Sequence, residues 1–216
     1  MKRIGYGQVE PNHLSAQRTS QIYAQLPANK NITQLENGEF VKYDYANGEV
    51  NKTGAGEWML VFNEVKLYDA PWRESYKDFA MIAKNYTEGS YFTNDQQGKP
   101  TVEHTVSHYG LGPLKGQMVP RVFKTNIGDI YTTNCFEKAG ARGVETTMTD
   151  LELGDELGIN KNGFLQLASE LGTEASTDPD SGETIPAEDY EGIIFQVVKI
   201  YTMPDGQDGV KIMRIK

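Results

Sequence analysis

Alternation of hydrophobic and polar residues is clearest in residues 35–67, which read as three strands joined by glycine-containing turns. Residues 39–45 alternate and are rich in aromatic and β-branched side chains, as a half-buried strand requires. Asn47 and Gly48 follow, a pair that tolerates positive φ in a tight hairpin turn. Residues 58–62, WMLVF, are the most apolar run and predict a strand buried on both faces.

The second half of the chain repeats this pattern of short apolar runs bounded by turn residues. The predicted strands cover residues 117–122, 127–133, 144–148, 164–167, 193–201 and 210–215. Asn162 and Gly163 repeat the hairpin pair after residues 151–159, and residues 204–206, PDG, predict another turn.

Two segments carry a helical signal. Trp72, Tyr76, Phe79 and Ala83 recur at helical spacing behind Pro71, so we predict one short amphipathic helix over residues 71–83. Residues 21–26 alternate as a strand that Pro27 ends, but residues 14, 18, 22 and 26 are also spaced by four. A helix over 14–26 therefore remains the alternative to a strand there.

These elements predict a mainly β protein with a single barrel or sandwich core, one short helix, an N-terminal arm and two long loops. Residues 1–20 are polar without a clear period and form the arm. Residues 21–216 form a single β-rich domain. Within it, the glycine- and proline-punctuated residues 85–116 make an irregular excursion, and the acidic residues 172–190 make a mobile loop.

Charge and cysteine content narrow the function classes. The net charge of −9 opposes a nucleic-acid footprint, which needs a basic face to neutralise phosphates. Cys135 is the single cysteine, so an intramolecular disulfide is excluded. The N-terminal residues lack the apolar core of a signal peptide, and no run is long and apolar enough for a membrane helix. We therefore expect synthesis in a reducing cytoplasm and no membrane partner.

No residue pattern predicts catalysis. His104 and His108 lie four apart beside Glu103, a spacing that would suit zinc on a helix. Their surroundings alternate as a strand, however, and on a strand residues four apart are separated by roughly 13 Å, too far to share one ion. Cys135 has no nearby histidine, so we expect a small buried hydrophobic side chain. We predict a protein that is not an enzyme and holds no metal or cofactor.

Four segments together resemble structural proteins of tailed-phage virions, in particular the small β-rich proteins that decorate or cement the head. The segments are LENGEFVKYDYANGEV, GEWMLVFNEVKLYD, LGDELGINKNGFLQLA and VVKIYTMPDGQDGVKIMRI. In that family a G-D-x-L/V hairpin and a terminal VVK…DG…V strand pair belong to a barrel. Here they correspond to residues 154–163 and 197–210. The resemblance covers about two thirds of the chain and leaves out residues 85–116 and 172–190.

The resemblance implies a non-enzymatic virion protein that binds the outer surface of the capsid. Its partner would be the major capsid protein of a phage head, with self-association as a second contact, and its location the virion. An arm that orders on the capsid would use the scattered apolar residues near the N-terminus as contacts. These are Ile4, Tyr6, Val9, Leu14, Ile22 and Tyr23.

Two other functions fit the same composition. A β-sandwich binding module, either carbohydrate-binding or a head-fibre or tail component, would use Trp72, Tyr91 or Tyr109 as platforms for sugar stacking. A hydrolase whose carboxylates are not recognisable by spacing would instead show a concave pocket with convergent titratable groups.

Overall fold

A computed structural model describes residues 6–18, 25–63, 80–83, 92–94, 100–102, 118–136, 151–172, 176–177, 184–185, 190–203 and 206–216. The prediction of a mainly β fold is confirmed, as packed sheets and not a closed barrel. The strands are β1 (Val9–His13), β2 (Gln34–Glu36), β3 (Phe40–Asp44), β4 (Glu49–Asn51), β5 (Trp58–Val61), β6 (Ala80–Ile82), β7 (Phe92–Asn94), β8 (Pro100–Val102), β9 (Val122–Phe123), β10 (Ile130–Thr133), β11 (Glu156–Ile159), β12 (Leu165–Leu167), β13 (Ser176–Thr177), β14 (Thr184–Ile185), β15 (Phe195–Thr202) and β16 (Asp208–Arg214). One α-helical turn, α1 (Ser15–Arg18), and a 3-10 turn at Ala168–Glu170 are the described helical elements.

The largest sheet has six antiparallel strands in the order β1-β10-β16-β15-β11-β12. Its long central hairpin, β15–β16, pairs Phe195 with Arg214 at one end and Thr202 with Asp208 at the other. The register shifts between Val197 and Lys199, which is a bulge in β15. The hairpin predicted from residues 193–215 is thus confirmed.

A four-stranded sheet, in the order β4-β3-β5-β9, lies at the centre of the molecule with both faces covered. Phe40 and Leu60 point from one face into a core shared with the six-stranded sheet. Val41 and Val61 point from the other face into a second core, against the β2–β6 pair. Each fully buried side chain of this size stabilises the fold by roughly 1.5–3 kcal/mol. Burial of residues 59–62 on both faces, predicted from their apolar run, is confirmed.

The predicted hairpin turns are present. Gly48, at φ +66°, lies in the turn between β3 and β4, and Gly163, at φ +81°, in the turn between β11 and β12. A Cβ on Gly163 would lie against the carbonyl oxygen of Phe40, so this turn also seats the six-stranded sheet on β3. The N–H of Phe40 donates to the Gly163 carbonyl oxygen at 2.7 Å.

The helix predicted over residues 71–83 is wrong for its last turn. Ala80–Ile82 form β6, which pairs with β2 and buries Met81 opposite Leu35. Residues 71–79 lie outside the described residues. Because Met81 completes the second core, packing against β2 decides the local structure despite the helical spacing.

The arm predicted for residues 1–20 is corrected over residues 6–18. Val9–His13 form β1, the edge strand of the six-stranded sheet, paired with β10. α1 then begins at Ser15, whose N–H and hydroxyl both donate to the buried carboxylate of Asp129, at 2.9 and 3.1 Å. This segment is part of the domain because its alternate residues fill the first core.

Two glycines hold the start of the chain against the body of the domain. A Cβ on Gly7 would lie 2.7 Å from Cys135 Sγ, and a Cβ on Gly38 would lie 2.5 Å from Cys135 Cβ. The N–H of Gly7 also donates to the buried Glu36 carboxylate at 2.7 Å. Cys135 is fully buried, as predicted from its isolation in the sequence.

Other predicted segments lie wholly or partly outside the described residues. Residues 19–24, which bear on the strand-or-helix alternative, and the predicted strand 144–148 are among them. Within 85–116 only the β7–β8 pair is described, and within 173–189 only the β13–β14 pair.

Candidate functional site

The residues predicted to contact a capsid do not form a surface. Tyr6, Val9 and Leu14 are buried inside this chain's own fold, so their side chains are not offered to another protein. Ile4, Ile22 and Tyr23 lie outside the described residues. The apolar positions near the N-terminus are explained by the β1 edge of the core, a signal that their alternation around residues 9–13 already contained.

An uncovered apolar strip is present instead on β15. Val198 and Ile200 have 37% and 39% of their surface exposed, among the few large apolar side chains that are exposed in the described part of the chain. Ile200 lies directly opposite the fully buried Val210, and cross-strand partners share a sheet face. The core-facing side of the six-stranded sheet therefore continues into solvent at this strip, which we call the β15 strip.

The bulge marks the point where cover ends. Before it, Phe195 and Val197 are buried in the first core, whereas after it Val198, Lys199 and Ile200 are all exposed. On the strand edge away from β16, the described pairing partner β11 reaches only Gln196, and two further backbone hydrogen bonds end at Val197. Lys199 instead lies over the Tyr201 ring, with Nζ 5.2 Å from the ring centroid.

A groove of about 500 Å³ opens between the ends of the central sheet and the ends of β15 and β16. We call it the intersheet groove. One wall is formed by Lys42, Glu57 and Trp58, and the other by Tyr190, Glu191 and Arg214, with Gly56, Gly192, Ile193 and Lys216 completing the lining. Lys42 and Trp58 are cross-strand partners on β3 and β5, and Trp58 packs against the first core from this side.

The charges of the groove are arranged around two of these side chains. Glu57 accepts from Lys124 Nζ at 2.8 Å and from Arg214 Nη1 at 3.1 Å, which links the central sheet to β16. Burial raises the pKa of Glu57, but the hydrogen bonds from the two cations outweigh this and hold it below its usual value. Lys42 has a different environment, because its Nζ lies 4.6 Å from the centroid of the Trp58 ring.

Tyr190 is held rigidly at the side of the groove. Its hydroxyl bonds to both the N–H and the carbonyl oxygen of Ile159. Its ring fills space left by two glycines, since a Cβ on Gly158 would meet Tyr190 Cε1 at 2.5 Å, and one on Gly192 would overlap the hydroxyl. Tyr190 also lines a second hollow, of about 430 Å³, beside Asp155, Glu156 and Ser169.

Other predicted site features receive no structural support. No group of three or more metal-ligating side chains occurs among the described residues. His104, His108, Trp72, Tyr91 and Tyr109 all lie outside them. Within the same part of the chain, no helix has the length and apolar character that crossing a membrane requires.

Comparison with known proteins adds no relative. The chain matches no protein-family model, no curated protein and no solved structure.

Proposed function

We propose that this protein is a non-enzymatic structural protein of a tailed-phage virion that binds the outer surface of the head. In this proposal the β15 strip is the contact with the major capsid protein. The observation that carries the proposal is the exposure of Val198 and Ile200 on the same sheet face as the buried core.

The position of the strip suits docking better than a scattered exposed residue would. Apolar residues at the centre of an interface contribute most when a partner excludes water from them. Val198 and Ile200 adjoin the buried Val197 and Val210, so a partner would extend an existing packed face. The exposed Lys199 and Thr202 border this patch with polar groups, the usual rim of an interface.

The resemblance to head-decorating proteins falls on the same elements. The G-D-E-L hairpin is the turn into β11, and the VVK…DG…V pair is the β15–β16 hairpin that carries the strip. The net charge of −9 also suits the outside of a head better than contact with packaged DNA.

Mass spectrometry of purified particles of the encoding phage tests the proposal, and we expect this chain among the virion proteins. Purified protein should also bind heads from which it has been removed. A cryo-EM map of those heads should place it outside the shell with β15 at the contact. Absence of the chain from the particles would overturn the proposal.

Ile200→Glu tests the strip itself, because a charge at the centre of an apolar contact must be desolvated without a partner. Binding to heads should be lost. Ile127→Glu is the matched control: Ile127 is 73% exposed, in a turn remote from β15, and its variant should bind like the wild type. Equal binding of the two variants would exclude the β15 strip as the contact.

A further inference from the structure

We propose that the intersheet groove is a binding site for a carboxylate-bearing sugar, such as a uronic acid unit of an acidic glycan. The inference is independent of the capsid proposal, since the groove and the β15 strip are formed by different residues. It rests on a positioned cation, two aromatic side chains and a concave surface, all at the open end of the sandwich.

The first argument is the state of Lys42. Its ammonium group is held by the face of Trp58, and no ion pair joins it to a carboxylate among the described side chains. A cation over an aromatic ring is stabilised without losing all of its hydrogen-bond donors, since Lys has three. Lys42 can therefore donate to an anionic ligand without first breaking an ion pair.

The second argument is the surplus of positive charge deeper in the groove. Glu57 is shared by Lys124 and Arg214, so this trio keeps one positive charge uncompensated. Glu191 and Lys216 are exposed at the rim and balance each other. In a chain of net charge −9, the groove thus offers local attraction to an anion.

The third argument is the pairing of this charge with aromatic surface. Trp58 and Tyr190 both line the groove, and Tyr190 is fixed by Ile159, Gly158 and Gly192. Rigid aromatic rings bind the apolar C–H face of a sugar ring at little entropic cost, while a few placed polar groups fix its orientation. A groove of about 500 Å³ lies within the usual range for small-molecule sites of about 300–1,000 Å³.

The test uses three acidic glycans, trigalacturonate, a glucuronate disaccharide and sialyllactose, each against its neutral methyl ester. Isothermal titration calorimetry at low salt should show saturable binding of at least one acid and at least about tenfold weaker binding of its ester, the effect of one charge-assisted hydrogen bond. Amide chemical shifts of the wild-type protein should change around residues 42, 58 and 190–193. No binding by any acid up to about 10 mM, equal binding of the esters, or shift changes confined elsewhere would overturn the proposal.

Lys42→Met keeps the aliphatic stem over Trp58 and removes the charge, so it should weaken acid binding about tenfold. Lys211→Met is the matched control on β16, away from the groove lining, and should bind like the wild type. Unchanged affinity of Lys42→Met, with a wild-type amide spectrum outside the groove, would refute the role of Lys42. Loss of glycan binding with intact head binding would separate this inference from the proposed function.

Discussion

The Tyr190 side chain takes the place of a strand partner for Ile159. The N–H of Ile159 donates to the Tyr190 hydroxyl at 3.1 Å, and the hydroxyl donates to the Ile159 carbonyl oxygen at 3.3 Å. β11 pairs with β15 only at Glu156 and Leu157, so these two backbone groups lie just beyond the ladder. Burial raises the pKa of the Tyr190 hydroxyl, and the backbone hydrogen bond lowers it in part. One side chain thus closes the ladder and shapes the groove.

Tyr190→Phe should lower the free energy of unfolding by about 1–2 kcal/mol, because the N–H and carbonyl of Ile159 lose their partner in a partly buried position. Urea denaturation followed by circular dichroism measures this. Tyr45→Phe is the control, since Tyr45 is largely exposed, and it should unfold like the wild type. If both variants have the same stability, water satisfies Ile159 and the hydroxyl has no structural role.

The hairpins of this fold could be predicted because their signals are local. Asn47 with Gly48 and Asn162 with Gly163 specify turns within a few residues, and each adjoins an alternating strand. The strand β6 could not be predicted in this way. Its assignment depends on pairing with β2 about 45 residues earlier, and the local spacing of residues 72–83 favours a helix.

The groove was beyond sequence reasoning for a related reason. The hairpin register could have placed Lys42 beside Trp58, since both follow from the turn at Asn47 and the next strand. Nothing local connects either residue to Tyr190 or Arg214, which arrive from distant parts of the chain. The same applies to Val198, whose exposure depends on where the central sheet stops covering β15.

Tyr131→Phe should leave the free energy of unfolding unchanged or raise it by up to about 1 kcal/mol. The Tyr131 ring is fully buried against Phe195, and its hydroxyl has no hydrogen-bond partner among the described residues. An unpaired buried hydroxyl is costly, so replacing it with hydrogen removes a penalty. The same urea titration checks this. A loss of more than about 1 kcal/mol would show that the hydroxyl is hydrogen-bonded in solution.

The same tyrosine should make the protein sensitive to alkali. Burial, with smaller contributions from Cys135 and Asp129, raises the pKa of Tyr131 well above its usual value of 10.0. The folded state therefore keeps this proton when the unfolded state loses it, and stability should fall as the pH rises above about 10. Unfolding titrations between about pH 8 and 11 should show a smaller decline for Tyr131→Phe than for the wild type. Equal slopes would contradict the shift.

Gly38→Ala should be markedly more destabilising than Gly128→Ala. Both glycines have positive φ, +98° and +89°, so each alanine costs about 1–2 kcal/mol of backbone strain. Only at Gly38 does the new Cβ meet packed atoms, 2.5 Å from Cys135 Cβ, whereas nothing lies within 4 Å at Gly128. Overpacking adds about 1–3 kcal/mol, which the difference between the two midpoints in urea measures. Equal losses would mean that the chain around Cys135 yields freely.

Glu57→Gln should lower the free energy of unfolding at pH 7 by up to about 1 kcal/mol, since the carboxylate is partly exposed and solvent screens it. The folded pKa of Glu57 lies below its model value of 4.5, so the stability it contributes is present above that value and is lost as pH falls through the folded pKa. The difference between wild type and variant should therefore shrink in acid, and also in about 1 M salt. Glu152→Gln, at an exposed turn position, should show neither dependence. A pH-independent difference for Glu57→Gln would mean that packing, and not the link from Glu57 to Lys124 and Arg214, joins the central sheet to β16 at the groove.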